Sequence, residues 1–408
     1  MNNTLPGLGR NRSLVLFVLG SIFLAPGLSF GSTGTINVHL RLIDKSASRI
    51  TVADIKWLDP RDGVGPSSEF PIVKSTDCFD VSLPSKGIYS FTIKAHGYSV
   101  VTNRKIETHD GDTVEIVMSP LAQKKPEQQR CFQPNTGPWY PKDAMILRTM
   151  VAQLLGAART DQPKASVQAV ISPHAGYEYS AQCAVYSFKQ LEGKSFDKVI
   201  ILGPSHFSYF RGIRLLDYDL YKTPLGVIRI DVDVVRSLCD GTLIQVDSAP
   251  FIREHSVDNM LPFLQLVLKE FSIVPIVVGD ISPKDCSEIS RAIKSKCDDK
   301  TLVVVSSDFT HYGPNYEYTP FGESKNIRQD ISQLDMGAVE KIVALNGKGF
   351  DEYLGRTGAT ICGRNAIRLL LNILPAGSKG HLLNYYLSGD KAQDYTNSVS
   401  YASIVFYR

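Results

Sequence analysis

Hydrophobic and polar positions divide the chain into three regimes. The first is one apolar run, residues 14–25, uncharged and preceded by Arg10 and Arg12. Pro26 and Gly27 end it short of the roughly 20 residues that a membrane span needs, so it reads as a signal peptide over residues 1–31. Ser29 and Gly31 put small residues where a signal peptidase inspects the chain. Cleavage after Gly31 is expected, with a membrane met only during export to a periplasmic or extracellular destination. The second regime alternates with period two: Ile36, Val38, Leu40 and Leu42, then Tyr89, Phe91, Ile93 and Ala95, each separated by a mostly polar neighbour. Turn-forming stretches at 59–63, 84–87 and 110–112 punctuate these runs and predict a small antiparallel sandwich over residues 34–119. Residues 120–137 are rich in Pro, Gln and Lys and read as a linker. In the third regime, residues 138–408, nearly continuous apolar runs at 167–172, 198–203, 273–279 and 301–306 alternate with helical patterns at 181–191, 257–271 and 283–296. Strands at 382–387 and 399–407 close the chain. Continuously apolar strands are covered on both faces, so this part is predicted to be an α/β domain with a central, mostly parallel or mixed sheet.

Composition narrows the function classes. Lys and Arg number 44 against 41 Asp and Glu, for a formal charge of +3, so no basic stripe for nucleic acid is indicated. The seven cysteines leave at least one thiol unpaired within the chain, in a compartment that export would make oxidising. Cys286 and Cys297, if on one helix, would be about 16 Å apart and unable to bond. A Cys78–Cys131 bridge is left open, and Cys183 is expected to be a buried thiol.

Reactive side chains collect where the apolar strands end. The first run leads into Pro173-His174-Ala175-Gly176-Tyr177, the second into Gly203-Pro204-Ser205-His206, the fourth into Ser306-Ser307-Asp308-Phe309-Thr310-His311. Groups just beyond the carboxyl ends of neighbouring strands in an α/β sheet converge on one crevice. His174, His206, Asp308 and His311 are therefore expected to face a common point. His255 has two readings. In one, Ser256 caps the helix 257–271 and Glu254 is exposed; in the other, His255 lies in the site wall. Cys362, between Ile361 and Gly363, precedes a helical pattern at 365–374, whose dipole is expected to lower the thiol pKa. Imidazoles with a thiolate or carboxylate suit a transition metal.

These segments carry a resemblance. Trp139-Tyr140-Pro141, the His174 and His206 motifs, Tyr221-Lys222-Thr223-Pro224-Leu225, Glu254-His255-Ser256 with Leu261-Pro262, Ser306-Ser307-Asp308-Phe309 with His311, Thr360-Ile361-Cys362-Gly363 and Ser398-Val399-Ser400-Tyr401-Ala402 occur in the order seen in the Memo family. Bacterial members are known as AmmeMemoRadiSam system protein B. The resemblance implies a fold like that of the class III extradiol ring-cleavage dioxygenases. It also implies iron or copper, with zinc a further candidate, held by His174, His206 and Cys362, with Asp308 and His311 in the same pocket. Phe207 departs from relatives that carry a second histidine there. The stretch from Gly87 to Tyr98, with a strand after it, resembles a carboxypeptidase regulatory-like sandwich. Radical-SAM and AMMECR-type partners are implied for bacterial members. The leading expectation is an exported metal-binding protein with a redox role. The first alternative is a non-haem iron dioxygenase or other oxidoreductase acting on a small aromatic molecule, with His311 as general acid/base, Asp308 orienting it or binding the metal, and His255 beside them. A metal-free hydrolase using Cys362 with His174 or His206 as base, and a non-catalytic module binding a peptide, are the remaining alternatives.

Overall fold

The structure, a computed structural model, describes residues 14–16, 36–43, 53–58, 72–74, 78–94, 101–117, 129–135, 137–159 and 166–408. The rest of the run expected to be a leader, with its expected cleavage point after Gly31, the 59–63 turn and most of the 120–137 linker lie outside the described residues. The chain forms two compact units, residues 1–125 and 126–408.

In the first unit, Ile36–Ile43 pairs antiparallel with Phe79–Leu83 and parallel with Thr113–Val117. Ile72–Lys74 and Leu14–Leu16 occupy the two edges of this sheet. A second, three-stranded sheet is built from Asp54–Leu58, Gly87–Lys94 and Val101–Thr108. Period-two alternation turns Val38, Leu40, Leu42 and Val81 of one sheet and Trp57, Tyr89, Phe91 and Ile93 of the other into one buried cluster. Trp57 and Tyr89 meet edge to face at 5.5 Å. Leu14–Leu16 falls within the run read as the leader and pairs only at the edge, against Val114–Ile116. Its removal would leave the pairings of the inner strands in place.

The second unit is mixed α/β. Four parallel strands form its centre, in the order Val167–Ser172, Thr301–Ser306, Lys198–Pro204, Ser272–Val278. Ser398–Tyr407 joins antiparallel beside Val167–Ser172 and pairs in turn with Lys379–Leu387. Helices cover both sides, among them Tyr177–Lys189, Pro283–Lys294 and Arg364–Ile373. The central strands are nearly continuous apolar runs because neither face meets water: all six residues of Thr301–Ser306 are buried. The helix expected over 257–271 is instead two, His255–Asp258 and Leu261–Val267. Pro262, with no N–H to give, sits in the first turn of the second helix, and Asn259 between them turns its side-chain amide to the His174 carbonyl at 2.6 Å. Among the described residues no helix is long and apolar enough to cross a membrane.

Candidate metal centre

The strands Val167–Ser172, Thr301–Ser306 and Lys198–Pro204 lie side by side and run the same way, so their carboxyl ends open onto one recess. The residues that follow each strand enter it. His174 is 1% exposed, and its Nδ1 lies 2.6 Å from Ser306 Oγ. The Ser306 hydroxyl donates to the Ser256 carbonyl at 2.6 Å, so it accepts from His174 Nδ1–H. That fixes the tautomer: the lone pair is on Nε2, which faces Cys362 Sγ at 3.4 Å. Burial, then repulsion from His206, holds the His174 pKa well below the ordinary histidine value. The ring is neutral.

His206 is anchored by the same logic. Its Nδ1 is 2.9 Å from Glu254 Oε1, and its backbone N–H donates to Oε2 at 2.6 Å. Nε2 is again the nitrogen left for the recess. Burial penalises an imidazolium here, but the bonds to Cys362 and Glu254 outweigh it and raise the His206 pKa to about 10. Burial likewise works against the Glu254 charge, yet the hydrogen bonds and charge of His206, with Ser256 N–H, hold that carboxyl at about 2. Glu254 is 1% exposed and itself caps the helix His255–Asp258, accepting from Ser256 N at 3.0 Å. The reading with Ser256 as cap and Glu254 exposed is corrected: a buried carboxylate that accepts from three N–H groups outcompetes a hydroxyl as cap. Ser256 instead donates through its hydroxyl to the Pro204 carbonyl at 2.9 Å.

His255 is buried beside them. Its ring stacks on Trp139 at 3.8 Å and 7°, and on His206 at 4.8 Å and 24°. Its Nδ1 makes no hydrogen bond and sits 3.6 Å from Glu254 Oε1. Burial, with repulsion from His174 and His206, lowers its pKa to about 3. Asp308 receives the His174 backbone N–H on Oδ1 at 2.8 Å and holds Oδ2 4.0 Å from His174 Nε2. Burial raises its pKa. His311 faces the carbonyls of Phe309 and Thr360 with Nδ1, at 3.0 and 3.1 Å. Carbonyls only accept, so Nδ1 carries the proton and a neutral ring keeps its lone pair on Nε2.

Cys362 comes from the loop before Arg364–Ile373. Its Sγ accepts the Asp308 N–H at 3.2 Å. The expected lowering of its pKa does not occur: burial raises it, outweighing the help of His206 and of the Asp308 N–H. Gly363 follows because the backbone passes so close to Thr301–Ser306 that a Cβ there would lie 2.4 Å from Ser307 Cβ and 2.8 Å from the Ser306 carbonyl.

The fold thus gathers His174, His206, His255, Asp308, His311 and Cys362 around one recess. One ligating atom each of His174, His206 and His255 lies within 4.8 Å of the other two. A metal at 2.0–2.3 Å from tetrahedral ligands puts those ligands about 3.3–3.7 Å apart, which the His174–Cys362 spacing of 3.4 Å fits. Sequence reasoning overlooked Ser306 and Glu254 as the groups that orient the two imidazoles. The signal was a hydroxyl or carboxylate inside each histidine-bearing motif. Cys131 and Cys239 are exposed thiols, and Cys286 is a buried one. Cys183 is buried, its pKa pushed by burial to about 12.

Residues 133–405 match the family model described as Memo-like protein. The chain is 33% identical over 283 residues to Protein MEMO1 of Homo sapiens, in an alignment covering 66% of this chain and 94% of that one. It is 31% identical over 287 residues to Protein memo-1 homolog of Caenorhabditis elegans, covering 67% and 81%. It is 31% identical over 279 residues to the MEMO1 family protein of Nitrosopumilus maritimus, covering 66% and 97%. The chain belongs to the Memo-like protein family.

Proposed function

We propose that this is an exported metal-binding protein that holds iron or copper through His174, His206 and Cys362, in a redox role. The observation that carries the reading is the paired anchoring of the two imidazoles. Ser306 and Glu254 each occupy Nδ1, which leaves the Nε2 of both rings to the Cys362 sulfur: that of His174 as a lone pair, that of His206 as a lone pair once its proton is given up. Outer anchors of this kind fix tautomer and ring angle in metal sites. His255 lacks such an anchor at Nδ1 and is stacked between Trp139 and His206, which favours a wall position over a ligand position. Two neutral imidazoles and one thiolate suit iron, copper or zinc. Iron or copper bound there would supply one-electron chemistry and open coordination positions. The chain's own contribution is to give up the His206 and Cys362 protons on loading and to keep His174 neutral throughout. The apolar run 14–25 with its two arginines supports export.

The orientation of His311 favours a second reading, an oxidoreductase acting on a small aromatic molecule. With Nδ1–H committed to two carbonyls, Nε2 is available to take or return a substrate proton. Asp308, whose pKa burial raises, would be its partner.

Elemental analysis of the full-length protein, purified and loaded anaerobically, tests the first reading. One iron or copper per chain is expected, lost or weakened by about tenfold or more in Cys362→Ser. Absence of bound or acquired metal would overturn both readings. Oxygen uptake with a panel of catechols separates them: none in the loaded protein removes the second.

A further inference from the structure

The sandwich unit carries a cluster of its own. It lies before residue 133, outside the stretch matched by the family model. His39 on Ile36–Ile43 and Asp80 on Phe79–Leu83 sit directly opposite each other in the antiparallel register. Cys78, two residues before Asp80, shares its face. Their inward neighbours Val38, Leu40, Phe79 and Val81 are all buried, so the register that fills the core also turns these three outward. His39 Nδ1 is 2.6 Å from Asp80 Oδ1, and Cys78 Sγ is 3.4 Å from the same oxygen. One ligating atom of each lies within 4.8 Å of the other two. The side chains of His39 and Asp80 are 40% and 39% exposed, which leaves a cation a path in and open positions for water.

We propose that His39, Cys78 and Asp80 form a second metal site, separate from the pocket of the α/β unit, that takes a borderline divalent cation of the zinc type. The mixed nitrogen, sulfur and oxygen donors select such a cation over magnesium or calcium, which take oxygen ligands. Thiolate and carboxylate together cancel its charge. The spacing needs little change: the His39–Asp80 hydrogen bond opens from 2.6 Å to about 3.3 Å, the ligand separation of a tetrahedral site. On binding, the Cys78 thiol gives its proton to solvent. The ligating nitrogen of His39 offers a lone pair while the other ring nitrogen keeps the single proton. Donors on two hydrogen-bonded strands are held in place by the sheet, so a cation would clip Ile36–Ile43 to Phe79–Leu83.

The test uses the full-length, reduced protein carrying Cys362→Ser, which removes the only pocket thiol proposed as a ligand. Cobalt(II), a zinc surrogate with a thiolate charge-transfer band in the near ultraviolet, is titrated anaerobically. One saturable band per chain is expected. It should vanish in Cys78→Ser and weaken about tenfold or more in His39→Gln and Asp80→Asn, each checked for an unchanged far-ultraviolet circular dichroism spectrum. Asp80→Asn keeps the shape of the site should either of the other changes disturb folding. No thiolate band in the Cys362→Ser protein, or one that survives Cys78→Ser, overturns the proposal. The exposed thiols of Cys131 and Cys239 would then be the source of any remaining band.

Discussion

Replacing Glu254 by Gln isolates what holds His206 in place. The carboxylate accepts three N–H groups in a buried setting: His206 N and Nδ1 at 2.6 and 2.9 Å, and Ser256 N at 3.0 Å. A glutamine of the same shape has one accepting oxygen. If that oxygen takes the Oε1 position, the new NH2 faces the His206 backbone donor. If it takes the Oε2 position, the NH2 faces Ser256 N–H and His206 Nδ1, and the neutral imidazole of the loaded state can answer only by carrying its one proton on Nε2. That places a hydrogen where a lone pair is needed. Either way at least one buried donor goes unmatched, at a cost of about 1–3 kcal/mol. For a unit of this size each kcal/mol lowers Tm by about 2–4 °C. Metal affinity should fall by about 10- to 100-fold, the usual effect of losing an outer anchor. A third signature is specific to the mechanism: the His206 pKa should drop below about 10, with the bond to Cys362 alone left to raise it. Competition against a chelator, thermal melts in excess chelator and a histidine NMR titration read the three quantities. A folded Glu254→Gln protein with unchanged affinity and an unmoved His206 titration would refute the argument that this carboxylate sets the tautomer.

Two further outcomes follow from the same geometry. Gly363→Ala should destabilise the protein by about 1–3 kcal/mol by overpacking against Ser307 and the Ser306 carbonyl, and should displace the adjacent Cys362; melts and metal content measured together check it, and a wild-type Tm with full metal would contradict it. In excess chelator, Tm should peak between about pH 6 and 7. His206, raised from 6.5 to about 10, contributes stability that is complete below 6.5 and lost as pH rises toward 10. Glu254, lowered from 4.5 to about 2, contributes stability present above 4.5 and lost as pH falls toward 2. His255, lowered from 6.5 to about 3 and buried neutral, is a second source of loss as pH falls below 6.5. A Tm that climbs steadily from pH 5 to pH 9 would refute the His206–Glu254 pairing.

Much of this architecture can be read from the amino-acid order because burial on both faces of a strand leaves a run without interruptions. The stretch 301–306 is such a run and is a strand with those bounds. Its neighbour at 198–203 gains one residue at its end, and the run at 273–279 moves back by one residue at both ends. The convergence of His174, His206 and Asp308 followed from strand ends alone, since parallel neighbours open on the same side. Helix Ala144–Ala157 was harder to see. Its exposed Met145 and Ile146 blur the apolar stripe that Leu147, Val151 and Leu155 bury, although Asp143 caps its start. The helices Ile327–Val343 and Gly347–Thr357 hide for a related reason: one buries Asp335, the other opens with two glycines. Asp335 is a polar residue doing a core residue's work, binding Thr310, Tyr385 and Ser400. The misjudged Cys362 shows the limit of local reasoning. A helix start is visible in sequence, but the desolvation that overrules it depends on segments as far away as His174 and Asp308.

Ser256 joins parts that lie far apart in the chain. Its hydroxyl holds the Pro204 carbonyl, its carbonyl receives Ser306, and its N–H meets Glu254. The supports of His174 and His206 therefore share one residue, and neither ring has an independent frame of reference. A shift of Ser256 would tilt both imidazoles at once, so it would change the gap between their Nε2 atoms less than the position of either atom. In the redox role proposed above, that trait would keep the bite angle constant through a change of oxidation state.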